Sequence, residues 1–233
     1  RMRARGVHAY GDYMRILEGD AREFDLLLDA LTINVTKLFR NWDVFDTIAR
    51  SVIPELWTRL EGPIHVWSAG CASGEEPYSL AILFHRHAAE RGELHRLGRV
   101  TIHATDIDRG SLATAARACY GAAAFADTPP ELRAAYFSRE EPAAVASEAR
   151  RLVRVARHDL LLDPPPAREL HLIVCRNVII YFDRATQESL FERFHDALAP
   201  GGYLVLGKVE TLLGSARSRL AAVHPRERIF RRP

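Results

Sequence analysis

The chain is expected to fold as an α/β protein: a mostly parallel, doubly wound sheet, closed by an antiparallel C-terminal hairpin and preceded by a small helical subdomain. Three observations carry this expectation. From Ile64 onward, apolar runs of strand length alternate with segments of helical period, which implies parallel strands whose ligands sit at their carboxyl ends. The first apolar run leads through a turn of small residues straight into a helix start, Ser68-Ala69-Gly70-Cys71-Ala72-Ser73-Gly74-Glu75-Glu76. The last two runs, near 219–224 and 227–231, are separated only by Pro225-Arg226, a spacing that suits a hairpin.

The elements follow in order. From about Tyr10 to Leu60 the apolar residues recur at helical spacing, as at Phe24, Leu27 and Leu28 and again at Val44, Phe45, Ile48, Val52 and Ile53. Residues 1–60 are therefore expected to form the helical subdomain and linker, and 61–233 the sheet domain. Strands are expected at 64–69, 100–106, 152–157, 170–176 and 202–207, and helices at 74–90, 109–118 and 184–198. The Ala-rich, charged stretch near 137–153 is expected to be a short surface insertion with at most a turn of helix.

Composition narrows the function classes. With 233 residues, 48% of them hydrophobic, the chain can bury a substantial core. Its 32 Lys and Arg against 30 Asp and Glu leave a net charge of +2, a balance that does not point to nucleic acid. The basic start, Arg1-Met2-Arg3-Ala4-Arg5, is short and expected to be a solvated tail. No apolar run approaches membrane-spanning length and the start lacks a secretory signal's apolar core, so a cytoplasmic protein without direct membrane insertion is expected. Cys71, Cys119 and Cys175 show no metal spacing, so neither a metal site nor a disulfide is expected.

The turn after the first strand reads as a nucleotide-type cofactor loop. Gly70 and Gly74 supply positive φ and close backbone approach at the mouth of a helix. A dinucleotide loop would have Gly-x-Gly-x-x-Gly; here Ala72 occupies the middle position, and Glu75 and Glu76 would repel phosphates in the first helical turn. The ligand should therefore be neutral or cationic at this point. S-adenosylmethionine fits, since it carries an α-ammonium, a sulfonium and a ribose but no phosphate. Asp106, at the carboxyl end of the second strand, stands where a ribose hydroxyl pair is usually held.

Three ordered motifs give the chain a family resemblance. They are Asn34-Val35-Thr36-Lys37-Leu38-Phe39-Arg40, the loop from Ser68 to Ser79, and Ile173-Val174-Cys175-Arg176-Asn177-Val178-Ile179-Ile180-Tyr181-Phe182-Asp183. From about Tyr10 to its end the chain closely resembles the CheR family, the chemotaxis-receptor glutamate methyltransferases. The resemblance implies a Rossmann-like S-adenosylmethionine methyltransferase domain and an enzyme that esterifies glutamate side chains on the cytoplasmic signalling domains of chemoreceptors. It also implies that Asn34, Thr36 and Arg40 touch the cofactor and that Glu75 or Glu76 reaches its amino-acid part. Asp106 would then hold the ribose, and Asp159 would lie near the adenine. Arg176, Asn177 and Tyr181 would complete the floor and the substrate side. Arg40 and Tyr181 are the expected catalytic pair, the first by paired hydrogen bonds to the substrate carboxylate and the second through its hydroxyl or ring. A monomer is expected.

No dedicated base is needed, because a glutamate of pKa about 4.3 is already ionised at neutral pH. Alignment of the carboxylate oxygen, the methyl carbon and the sulfur can supply about 7–11 kcal/mol of the barrier. The chain departs from the family pattern at three places. Asp159 replaces the Asn common before Leu-Leu, Gly207-Lys208-Val209-Glu210 replaces Gly-His-Ser-Glu, and the receptor-docking stretch is short and Ala-rich. A receptor interaction independent of a C-terminal tether is therefore expected. Leu162-Asp163-Pro164-Pro165-Pro166 is similar to the Asp-Pro-Pro-aromatic motif of amino-group methyltransferases but lacks the aromatic, and reads as a stiff loop. Two other readings stay open: a carboxyl methyltransferase for another substrate, and a non-catalytic sensor of S-adenosylmethionine.

Overall fold

The computed structural model describes residues 1–31 and 36–233, which fall into two compact units that part between Val35 and Thr36. The first holds helices α1 (Tyr10–Gly19) and α2 (Ala21–Leu31). Its centre is polar. The buried carboxylate of Glu23 accepts from Arg1 at 3.0 and 2.6 Å and from the Tyr13 hydroxyl at 2.9 Å, and the Arg1 guanidinium holds it below the usual carboxylate range. Arg5 donates to Asp20 at 2.8 Å. The basic start, expected to be a solvated tail, is thus folded back on α2 because two acids there compensate it.

The second unit is the α/β domain that the alternation predicts. Its strands are β1 (Ile64–Ala69), β2 (Val100–Asp106), β3 (Cys119–Tyr120), β4 (Ala143–Ala144), β5 (Val153–Arg157), β6 (Leu170–Cys175), β7 (Leu198–Leu206), β8 (Ala221–His224) and β9 (Ile229–Arg231). Seven of them form one sheet in the order β5-β2-β1-β6-β7-β9-β8. The first five in that order run parallel, while β9 runs antiparallel to both β7 and β8. The winding leaves β1 toward β2 and β5 and then returns to β6 on its other side. The switch point between β1 and β6 is where an open α/β sheet leaves a ligand crevice.

Side chains of β1 alternate between two cores: Ile64 and Val66 face one, Trp67 and Ala69 the other. The first core takes α5 (Glu75–Glu90) and α6 (Arg109–Arg117), and the second takes α9 (Arg184–Ala197). Asp108 caps α6 by accepting from Gly110 N at 2.7 Å and Ser111 N at 3.2 Å, and Asp183 caps α9 by accepting from Thr186 N at 2.8 Å.

The helical run after Thr36 also belongs to this unit. Helices α3 (Trp42–Thr47) and α4 (Ile53–Arg59) join through a π turn at 48–52, and Val44, Phe45, Ile48, Val52, Ile53, Leu56 and Trp57 are buried in the first core. Arg59 donates to the carbonyls of Pro200 and Gly201 at 3.2 and 2.9 Å, and Tyr203 donates its hydroxyl to Glu55. The boundary therefore lies earlier than the one expected at residue 60, because the apolar face of these helices completes the core of the sheet domain.

Two further expectations change. The stretch near 137–153 is part of the body: Ala143, Val145, Ala149 and Leu152 are buried in the first core. It forms β4, paired antiparallel with β3, and a helical turn, α8 (Ser147–Arg150), and it follows α7 (Pro130–Tyr136). Strand β7 starts at Leu198 rather than at 202, because Gly201 takes φ 73 and donates its N–H to Arg232 O while Gly202 O accepts from Arg232 N, which continues the pairing past the end of β9.

Candidate active site

The crevice is built from the carboxyl ends of β1, β2 and β6. After Ala69 the chain turns at Gly70, φ 77, and the N–H groups of Gly70 and Cys71 both donate to Thr105 O, at 2.8 and 2.9 Å. A side chain at Gly70 would drive into Val178, so only glycine lets this turn lie against the loop after β6. Ala72, φ 45, donates its N–H to Asp106 Oδ2 at 2.8 Å, and Asp106 Oδ1 accepts from Asp108 N at 3.0 Å. Asp106 thus holds the turn with one oxygen and its own loop with the other.

The adjacent acids diverge. Glu75 is buried with its carboxylate on the Ser73 hydroxyl at 2.9 and 2.8 Å, and burial pushes its pKa up. Tyr120, whose hydroxyl donates to Ser73 O at 2.8 Å, sits on the same side. Glu76 turns instead into the crevice. Its Oε1 accepts from Ser68 Oγ at 2.8 Å and its Oε2 lies 3.7 Å from Arg176 Nη1. Burial pushes the Glu76 pKa up despite the nearby cations Arg176 and Arg40, with Glu210 adding to the rise. Of the two candidates, Glu76 is the acid that faces the switch point.

Arg176 follows β6 and is buried. It donates from Nη2 to Arg40 O and to Asn41 Oδ1, each at 2.9 Å, and its guanidinium lies over Phe45, 5.4 Å from the ring centre. Burial lowers its pKa, and its Nε has no partner among the described residues. Both members of the Glu76–Arg176 pair are thus shifted toward neutrality. Desolvation outweighs their attraction, as expected for a buried pair at this separation.

The other expected site residues lie as follows. Asn34 is outside the described residues. Thr36 is half-buried at the start of the sheet unit, and Arg40, also half-buried, carries one of the carbonyls that Arg176 grips. Asp159 follows His158, whose N–H donates to Asp106 O at 2.9 Å, so it stands beside the β2 end. Its Oδ1 accepts from Leu161 N at 2.8 Å and Leu162 N at 3.3 Å, which makes it the cap of its own turn. Asn177 adopts φ 61. Tyr181 ends a short helical turn, 179–181, and is 63% exposed. A tyrosine that served the core would be buried.

Ser68, Asn41 and Glu210 were not foreseen. Ser68 is a buried hydroxyl in an apolar strand, a pattern that asks for a polar partner. Asn41 sits at φ 60, where Asn is better tolerated than most residues, and no spacing in the sequence reveals that its amide meets Arg176.

This donor set fits S-adenosylmethionine. Glu76 is a buried carboxylate short of positive charge, which an α-ammonium would supply, and the N–H groups of the turn go to Thr105 O and Asp106 rather than into a phosphate cradle. Glu76, Asp106, Gly70 and Arg176 would hold it. Because burial raises the Glu76 pKa, cofactor affinity is expected to weaken as pH falls through that raised pKa, approaching about tenfold per unit below it. Glu76→Gln should bind weakly at every pH with a flattened profile, as read by calorimetry; an unchanged slope in the variant would assign the titration elsewhere.

A family model described as the S-adenosylmethionine-binding domain of CheR methyltransferase matches residues 34–227. A chemotaxis protein methyltransferase of Listeria innocua is 35% identical over 216 residues, covering 92% of this chain and 79% of that protein. Chemotaxis protein methyltransferase 1 of Pseudomonas aeruginosa is 34% identical over 223 residues, covering 91% and 78%. An uncharacterized 104.1 kDa protein of Rhodobacter capsulatus is 36% identical over 233 residues, which are 99% of this chain and 24% of that one. The chain spans about a quarter of that longer protein.

Proposed function

The chain belongs to the CheR family of S-adenosylmethionine-dependent methyltransferases, and we propose that it methylates glutamate side chains on the cytoplasmic signalling domains of chemoreceptors. The observation that carries the reading is the buried Glu76–Arg176 pair at the β1–β6 switch point, with the exposed Tyr181 on the same loop as Arg176. S-adenosylmethionine, when bound, supplies a methyl group already activated on a sulfonium. The residues of this chain have to bind, orient and exclude water. Glu76 takes the α-ammonium, Asp106 the ribose, and Asp159 stands on the adenine side. Thr36 and Asn177 take the remaining cofactor contacts. Arg40 and Tyr181 hold the incoming carboxylate in line, and no residue has to remove a proton from it.

The same reading makes the protein cytoplasmic, where receptor signalling domains are found; no helix among the described residues is long and apolar enough to cross a membrane. The β3–β4 pairing is only two residues deep, which supports docking that does not depend on a receptor's C-terminal tether. A monomer suffices for this chemistry. The experiment is transfer of labelled methyl from S-adenosylmethionine to recombinant chemoreceptor signalling domains, read as methanol released by base. Base-labile counts that vanish when the receptor glutamates are changed to alanine are expected. Cofactor binding without transfer would overturn the reading in favour of another carboxylate substrate or a sensor.

A further inference from the structure

Glu210 is a buried acid for which the proposed chemistry has no task. It is 3% exposed, and its carboxylate accepts three backbone N–H bonds, from Gly207 at 2.6 Å on Oε2 and from Val178 and Ile179 at 3.0 Å each on Oε1. It therefore ties the end of β7 to the loop that follows β6. Two features show how tightly the three parts are assembled. Asn177, the residue before the first of these donors, holds φ 61. A Cβ on Gly207 would lie 2.7 Å from Glu210 Oε2 and 3.0 Å from Asn177 N, so glycine is what lets carboxylate and loop come this close.

The clamped loop faces the reaction on two sides. Val178 fills the space that a side chain at Gly70 would need, so the loop backs the cofactor turn. Tyr181 closes the helical turn begun there, donating its N–H to Val178 O at 3.2 Å. The phenol is thus carried by a turn whose first two N–H groups end on Glu210.

We propose that Glu210 is a positioning residue for methyl transfer: it never touches substrate, but sets where Tyr181 stands by fixing the backbone of 178–179. The proposal rests on the reading of Tyr181 as a substrate-holding group. A carboxylate that accepts from donors on both oxygens cannot be replaced by a carboxamide without aiming an NH2 at an N–H. A displacement of about 1 Å in a positioned group costs about 100-fold in rate.

The test compares Glu210→Gln, Tyr181→Phe, their double variant and Gly207→Ala, with a recombinant receptor signalling domain as methyl acceptor and calorimetry for S-adenosylmethionine. Glu210→Gln is expected to lower kcat by about 30- to 100-fold with the cofactor Kd within about threefold. The double variant should be no more than about threefold slower than the slower single, since both act through one phenol. Gly207→Ala, which presses on Oε2 without removing the charge, should reproduce the split and carries the test if Glu210→Gln does not fold. Losses that multiply in the double variant, or parental kcat in Glu210→Gln or Gly207→Ala while Tyr181→Phe is slow, would overturn the proposal and leave the role of Tyr181 standing. Parental kcat in Tyr181→Phe would instead remove that role, and the proposal with it.

Discussion

Arg176→Met is expected to abolish methyl transfer and to lower the unfolding free energy by about 3–5 kcal/mol. The guanidinium is 3% exposed in its side chain, bonds the Arg40 carbonyl and the Asn41 amide, and is the nearest cation to Glu76. Removing it strands a buried carboxylate and frees two acceptors that joined the start of α3 to the end of β6. Methionine keeps the packing against Phe45, so the loss would report charge and hydrogen bonding rather than volume. Urea unfolding measures the loss of stability, and transfer of labelled methyl to a receptor signalling domain measures the loss of activity. Glu76→Gln in the same chain should return most of the stability, because no charge is then left buried, yet restore no activity. If the double variant stays as unstable as Arg176→Met, the two bonds to residues 40 and 41 carry the fold, and the ion pair does not.

Tyr181→Phe is expected to lower kcat by about 100-fold while the cofactor Kd stays within about threefold and stability within about 0.5 kcal/mol. At 63% exposure the phenol contributes little to the core, so a change in rate cannot be charged to unfolding. Its hydroxyl is available to a carboxylate arriving from solvent. Arg40→Ala should slow transfer in the same way, with a larger rise in KM because a guanidinium grips a carboxylate through two bonds. Stopped turnover with labelled cofactor, set beside calorimetric Kd, separates the two effects. Equal losses in cofactor affinity and in kcat would place either residue on the cofactor and not on the substrate.

Much of this was legible in the chain. Strands β1, β2, β5 and β6 and helices α5, α6 and α9 are close to where hydrophobic period and turn residues put them, because each buries a face whose pattern is written locally. What escaped reading depends on distant partners. Leu198 is expected to end a helix and Gly202 to begin a strand, yet 198–202 is all strand, because Gly201 and Gly202 pair with Arg232 after β9. Helices α3 and α4 have the amphipathic pattern of a separate bundle, and nothing in that pattern says that the buried face meets a sheet. At the site, the periodicity of α5 could not choose between Glu75 and Glu76, which are one residue apart and lie on different faces. Glu210 stands in the loop that follows β7 and carries no local signal of burial. Its three donors come from two loops that only the parallel pairing of β6 and β7 brings together.

The tie between α4 and the start of β7 has a consequence for how the protein comes off the ribosome. Arg59 and the carbonyls it grips are 141 and 142 residues apart, and Glu55 and Tyr203 are 148 apart. Translation at about 5–20 residues per second therefore leaves Glu55 and Arg59 of α4 without these partners for about ten seconds, until β7 has been made. Contacts of such long range slow folding as well. The tie between α4 and β7 therefore closes late within this domain, so the yield of active enzyme should depend on chaperone supply and growth temperature more than the stability of the finished fold would suggest.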